Sequence, residues 1–422
     1  MPKIEDAAHI RALDGLRGLA ALIVVISHCA LAFFPYLHSG VSADLNADWQ
    51  IAVFNSPFLA LYSGGFSISV FFVLSGYVLS RKYFANGDTS WIPEASAKRY
   101  LRLVIPTFCA VMLCYILSKL GAFPADRSGP AGSITTWAYK SPMHLRDALK
   151  EGLYGSILLG HSRFAYVLWT LQIEFFGSIA LFSFFALFGQ SRLCSLYAAS
   201  VISILLFAEV PNGIHYACFF VGAYLHRWQS NAIRPFAPVI FAIGLWLGGY
   251  HWQGASYVGV ADLANRLQAA GVSLNWPLFI PALGATFLTW ASTFPGPITR
   301  MLSARPVWWL GQISFSLYLT HSFVLTSVGV AVFRFAPVSD YQSLAWLATS
   351  SVLFVSLLVA TPFAYFDRLA VRTSSRFSRW QFASGVRISR RQSTSARHVL
   401  AEGVGFEPTV DLRPRRFSRP VP

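Results

Sequence analysis

The chain has 422 residues, of which 55% are hydrophobic and only 12% charged, with a mean hydropathy of +0.51. This composition excludes an ordinary soluble globular protein and places the chain among polytopic membrane proteins, so its length counts spans rather than domains. The formal net charge of +15 would point to nucleic acid in a soluble protein, but here Lys and Arg gather between apolar runs and in the C-terminal tail; membrane orientation accounts for them, and no nucleic-acid partner is expected.

Apolar runs long enough to span occur near 16–35, 58–80, 101–121, 166–189, 193–210, 214–229, 236–250, 276–294, 307–333 and 344–366. The expected fold is therefore an all-α integral membrane protein, a polytopic bundle of about ten transmembrane helices. With a cytoplasmic N-terminus, the inner loops carry Arg81, Lys82, Lys98, Arg99 and Arg102, then Arg192, Arg227 and Arg234, then Arg300 and Arg305, while the short outer loops hold only Arg266. This bias predicts a multi-pass protein of the inner, plasma membrane with both termini cytoplasmic. The five cysteines all fall inside apolar runs without metal-ligand spacing and read as small core residues. Arg11, Arg17 and the small residues Val41-Ser42-Ala43 raise the alternative of a cleaved signal peptide, but the first run exceeds the usual apolar core of about 7 to 15 residues.

The first run carries the most informative residue. His28 is an ionisable group within an apolar stretch from Leu16 to Phe34, and lipid-facing positions do not accept such side chains. Arg17 precedes it by eleven residues, which on a helix brings the two within roughly 20° of each other and about 16 Å apart along the axis. Both are thus expected to point into one cavity. An imidazole can take a proton near neutral pH, which suits a general base, with Arg17 and Asp14 fixing a phosphate or the geometry. The alternative is a histidine that only joins neighbouring helices.

Further polar residues follow in order. Ser75-Gly76 in the second run permits close helix approach. Arg99 and Arg102 are neighbours on one helical face at the start of the third run; they suit bidentate phosphate binding, or anchor the helix at the inner surface. A long outer segment, 122–165, mixes Arg127, Lys140, Arg146, Lys150 and Arg163 with Asp126, Asp147 and Glu151, and is a candidate for substrate contact. The fourth run begins Trp169-Thr170-Leu171-Gln172-Ile173-Glu174 and places a carboxylate inside an apolar helix, where it would pair with an arginine or position the histidine. In the ninth, Ser314, Tyr318 and His321 form a polar stripe at i, i+4 and i+7, which must face protein or water. Gly87-Asp88-Thr89-Ser90 has the look of a hydrolase motif but reads better as a turn. From Thr373 onward the periodicity is lost and a disordered basic tail is expected; its end, 403–420, resembles a peptide made when a reading frame runs into a transfer-RNA gene, or serves as a membrane-surface tail.

Taken together, these segments resemble the acyltransferase 3 family, integral membrane enzymes that O-acylate sugars and related acceptors, over roughly residues 9–370. The resemblance rests on the Arg17-to-His28 spacing, Ser75-Gly76, the Arg99 and Arg102 pair, Trp169 to Glu174, and Gly311 to His321. It implies a membrane-embedded acyltransferase domain at 1–370 followed by a tail at 371–422. It also implies catalytic roles for His28, Arg17 and Asp14, and substrate binding by Arg99, Arg102, Trp169, Glu174, Ser314, Tyr318 and His321. The implied donor is cytosolic acyl-CoA, with no permanently bound cofactor and no metal, and the implied acceptor is a carbohydrate or glycolipid at the bilayer. Where a Glu-x-Pro element is looked for, the chain has Tyr365-Phe366-Asp367-Arg368, which puts a role for that corner in doubt. Without the resemblance, intramembrane His, Glu and Arg describe a proton-coupled transporter or flippase equally well.

Overall fold

The computed structural model describes residues 2–124, 132, 134, 138, 139, 142–336 and 339–386, with side chains from 11 to 378. Asp126, Arg127 and Lys140 of the long outer segment, and the tail from 387 onward with its 403–420 stretch, lie outside the described residues.

Each apolar run forms a helix, and no strand occurs among the described residues. In chain order they are α1 (Pro2–Phe33), α2 (Gly64–Asn86), α3 (Ile92–Lys119), α4 (Trp169–Phe188), α5 (Cys194–Phe207), α6 (Gly213–Tyr224), α7 (Ala237–Gly248), α8 (Trp276–Ser292), α9 (Arg305–Val324) and α10 (Tyr341–Val386). Six of the described helices are long and apolar enough to cross a membrane: α1, α2, α3, α4, α9 with its continuation to Phe335, and α10. The other four have 12 to 17 residues. At about 1.5 Å per residue, α6 and α7 fall well short of a hydrocarbon core about 30 Å thick. Six is therefore the number that length and composition carry.

Local chemistry sets the helix ends. Ser63 caps α2 by accepting the Phe66 N–H at 3.3 Å, and Gly87 closes it in a left-handed conformation, φ +68°, that a side chain would strain. Gly87-Asp88-Thr89-Ser90 is a turn, with the Asp88 carboxylate accepting the Ser90 N–H at 2.8 Å. α10 does not stop at Thr373 as expected. Ser374 and Ser378 share its inner face and are buried, and the Ser378 hydroxyl donates to Glu94 at 3.1 Å, which holds the added turns against the start of α3.

The site is positioned chiefly by α1 against α9, with α3 against α10 and α9 against α10 behind them. At the α1–α9 crossing, backbone meets backbone: a Cβ added to Gly18 would lie 2.4 Å from the Gly311 nitrogen, and one on Gly311 2.4 Å from the Asp14 carbonyl oxygen. Glycine at both positions is what lets the two helices approach.

Candidate functional site

The α1–α9 contact carries polar groups at two levels. At the first, Arg17 ties the helices together. Its guanidinium donates to the Ser314 hydroxyl at 2.8 Å and to the Gly311 carbonyl at 2.9 Å, and pairs with Asp14 at 3.2 Å. The Gln312 amide donates to the other Asp14 oxygen at 3.3 Å. Arg17 can reach Gly311 because neither Gly18 nor Gly311 holds the helices apart.

About eleven residues further along α1, roughly 16 Å by helical rise, His28 meets His321. Nδ1 of His28 lies 3.0 Å from Nε2 of His321, and the rings stack with centroids 5.1 Å apart. His321 is fully buried, with Nδ1 3.0 Å from the Leu317 carbonyl oxygen. Tyr166 sets the edge of its ring against His28, centroids 5.0 Å apart. His28 itself is half-buried as a residue.

A second ionic cluster joins α3 to α4. Arg99, 5% exposed, pairs with Glu174 and donates to the Ser178 hydroxyl at 2.7 Å, while the Ser75 hydroxyl of α2 donates to the same Glu174 oxygen at 2.8 Å. A buried guanidinium needs a carboxylate and further hydrogen bonds to be tolerable, and this arrangement supplies both. Arg17 and Arg99 both line one cavity, together with Arg102, Glu174, Ser314 and Asp367. Phe71, Phe72 and Phe315 form much of the apolar wall. A lining that is mostly apolar with a few convergent polar groups is the composition of a small-molecule site.

The structure thus brings Arg17, Arg99, Arg102, Glu174, Ser314 and Tyr318 into one chamber, and His28 with His321 into a neighbouring pair. The expectation that Arg17 and His28 open into a single cavity is modified: among the described residues, neither His28 nor His321 lines the chamber. Tyr318 belongs to both groups. Its ring packs edge-on against Phe71 in the chamber at 5.8 Å and lies 6.0 Å from the His321 ring. The Tyr318 hydroxyl is 2.7 Å from that of Thr170 and 3.0 Å from the Val167 carbonyl. Asp14 sits behind Arg17. Trp169 is half-buried away from the chamber, its ring 6.0 Å from that of His215.

Three contributors escaped the sequence reading. Asp367, on the corner whose role was in doubt, lines the chamber, and its Oδ1 is buried without a hydrogen-bond partner. Thr170 lies inside a segment already singled out, but nothing marked its hydroxyl as the partner of Tyr318. Tyr166 lies in an irregular stretch before α4, where no periodicity gives it a face.

Outside the spans, a buried carboxylate fixes that stretch. Glu151 begins a π-helical turn, Glu151–Gly155, and accepts the Phe164 N–H at 2.8 Å two residues before Tyr166. Burial pushes its carboxyl up to about 7, outweighing the backbone N–H groups of Phe164 and Arg163, which favour the charged form. On the next turn of chain after α1, His38 donates from Nε2 to the Ser27 carbonyl at 3.1 Å, and burial holds this imidazole below its ordinary value.

Residues 10–365 match the family described as "Acyltransferase domain". The O-acetyltransferase PaAT-1 of Phomopsis amygdali is 25% identical over 385 residues, covering 76% of this chain and 73% of that protein. The acyltransferase R4 of a Phoma species is 23% identical over 432 residues, covering 82% of this chain and 91% of that protein. No solved structure matches the chain.

Proposed function

We propose, from the premise that this chain belongs to the acyltransferase domain family, that it is an O-acyltransferase moving an acyl group, acetyl in the simplest case, from acyl-CoA to a hydroxyl of a carbohydrate or related envelope acceptor. The names of the two relatives, an O-acetyltransferase and an acyltransferase, support transfer to oxygen. The observation that carries the catalytic part is the half-buried His28, held at 3.0 Å by His321 within an apolar bundle.

In this reading the donor enters from the cytosolic side, where the arginines of α3 lie under a positive-inside topology of ten spans with both termini cytoplasmic in the plasma membrane. Arg99 is committed to Glu174 and Ser178 and serves as a strut; Arg102, one helical turn away, faces the donor phosphates across the chamber. The thioester carbonyl passes the apolar wall of Phe71 and Phe315 and reaches His28 beside Tyr318. His28 accepts the proton of the acceptor hydroxyl as its oxygen attacks the carbonyl carbon. The C–S bond then breaks, the proton passes to the leaving sulfur, and an ester and free CoA thiol result. General-base catalysis of this kind contributes about 10² to 10⁴ in rate. Arg17, paired with Asp14 and bound to α9, keeps His28 in register rather than touching the acyl group.

The test compares wild-type protein with His28→Ala in membranes supplied with isotopically labelled acetyl-CoA, with mass spectrometry of the envelope glycans. The expected result is a new acetyl ester that disappears in the variant while membrane insertion is unchanged. Retention of transfer by His28→Ala at equal protein level would remove His28 from the chemistry.

A further inference from the structure

We infer that His321 is a positioning residue that fixes the tautomer of His28, leaving the Nε2 lone pair of His28 as the reactive one. The inference rests on the reading of His28 as the general base and adds to it which nitrogen acts and what selects it.

The argument is a chain of donors and acceptors. A backbone carbonyl can only accept, so the 3.0 Å contact of His321 Nδ1 with the Leu317 oxygen requires a hydrogen on Nδ1. A neutral imidazole has one N–H, so Nε2 of His321 holds a lone pair. That lone pair faces Nδ1 of His28 at 3.0 Å, so Nδ1 of His28 must carry the hydrogen of the pair. Nε2 of His28 is then unprotonated and directed away from His321. The opposite assignment would need a charged His321, or two lone pairs facing one another. Among the described residues no carboxylate bonds to either ring, and His321 is fully buried, so a charge there would go without compensation.

The arrangement also serves the next step. When Nε2 of His28 takes the acceptor proton, the ring becomes an imidazolium whose Nδ1–H points at the His321 lone pair, so the new charge meets an acceptor already in place. This is the orienting task a buried carboxylate performs in serine hydrolases. Here a neutral ring performs it, and no permanent charge has to be kept at that depth in the bundle. Both helices are locked at the Arg17 level, and the Leu317 carbonyl belongs to the same helix as His321, so the relay is fixed to the α1–α9 contact itself.

The deciding measurement is the ¹⁵N signature of the His28 ring in histidine-labelled protein in lipid nanodiscs, assigned by difference against His28→Gln. The Nδ1–H tautomer is expected in the wild type; an Nε2–H tautomer there overturns the inference without touching the role of His28, whereas activity in His28→Ala overturns that role alone. Kinetics give the second arm. His321→Leu removes the acceptor across the helix contact, leaving the Val24 carbonyl on the same helix as His28, and is expected to lower kcat by about 10²-fold or more, with the donor KM within about twofold, as wrong-tautomer variants do elsewhere. His321→Gln restores an acceptor oxygen and is expected to keep kcat within about tenfold of wild type, together with the Nδ1–H signature. Equal losses in a folded Leu variant and a folded Gln variant, with the His28 signature unchanged in both, would reduce His321 to packing.

Discussion

The two polar levels of the α1–α9 contact solve opposite problems. At the Arg17 level the groups are ionic and each charge is matched: Arg17 by Asp14, and across the chamber Arg99 by Glu174, with serine hydroxyls completing both sets. At the His28 level the contacts are between rings and hydroxyls, with no carboxylate bonded to either imidazole among the described residues. Matched charges hold helices but are poor at exchanging protons, whereas a neutral imidazole can take one up near neutral pH. On the proposed reading, the difference makes Arg17 and Arg99 architecture and assigns the chemistry to the histidines.

The comparison is most severely tested at the ionic level. Glu174→Gln leaves Arg99 buried without its counter-charge and is expected to destabilise the protein by about 3–5 kcal/mol; the joint replacement Arg99→Met with Glu174→Leu is expected to recover most of that in thermal unfolding, with donor use recovering alongside. Next in size is Gly18→Val, whose Cβ would fall 2.4 Å from the Gly311 nitrogen. It is expected to cost about 1–3 kcal/mol and to lower activity by pushing His28 out of reach of His321, read as loss of the tautomer signature. Tyr318→Phe removes a hydroxyl bonded to Thr170 and Val167, and is expected to cost about 1 kcal/mol while changing kcat more than insertion; an unchanged kcat would separate the chamber from the histidine pair.

The smallest effect concerns pH. Glu151, with its carboxyl at about 7 in the folded chain against an ordinary 4.5, keeps its proton where the unfolded chain has released it. Between those two values stability is therefore expected to fall as pH rises, and to level off above about 7. Glu151→Gln is expected to flatten that slope in thermal unfolding followed from pH 4.5 to 8.

Much of this was legible from residue order. Hydropathy located the six helices long enough to span and four shorter apolar ones, because apolar runs between basic loops have few other solutions, but it could not set their lengths: α6 gives way to a tighter turn at Leu225–Trp228, and α7 starts only after one at Arg234–Phe236. The eleven-residue spacing put Arg17 and His28 on one face of α1, and a three-residue spacing put Tyr318 and His321 on neighbouring turns of α9. What periodicity cannot supply is the partner across the gap. Nothing in either run says that His28 meets His321 rather than Glu174, or that the guanidinium of Arg17 is taken up by Ser314 and Gly311 instead of facing substrate alone. Asp367 stood in the sequence only as a departure from a looked-for Glu-x-Pro element, and its place in the chamber depends on how α10 lies against α3 and α9.

The bare backbone contact of Gly18 with Gly311 has one more consequence. Backbone and Cβ atoms fill the contact at that point, leaving little that could change rotamer and let the helices slide, so the first and ninth helices are expected to travel as one rigid body. A breathing motion that admits a bulky acceptor is then expected in the opposite walls, and a ligand that wedges those walls apart is expected to stall turnover while leaving the histidine pair intact.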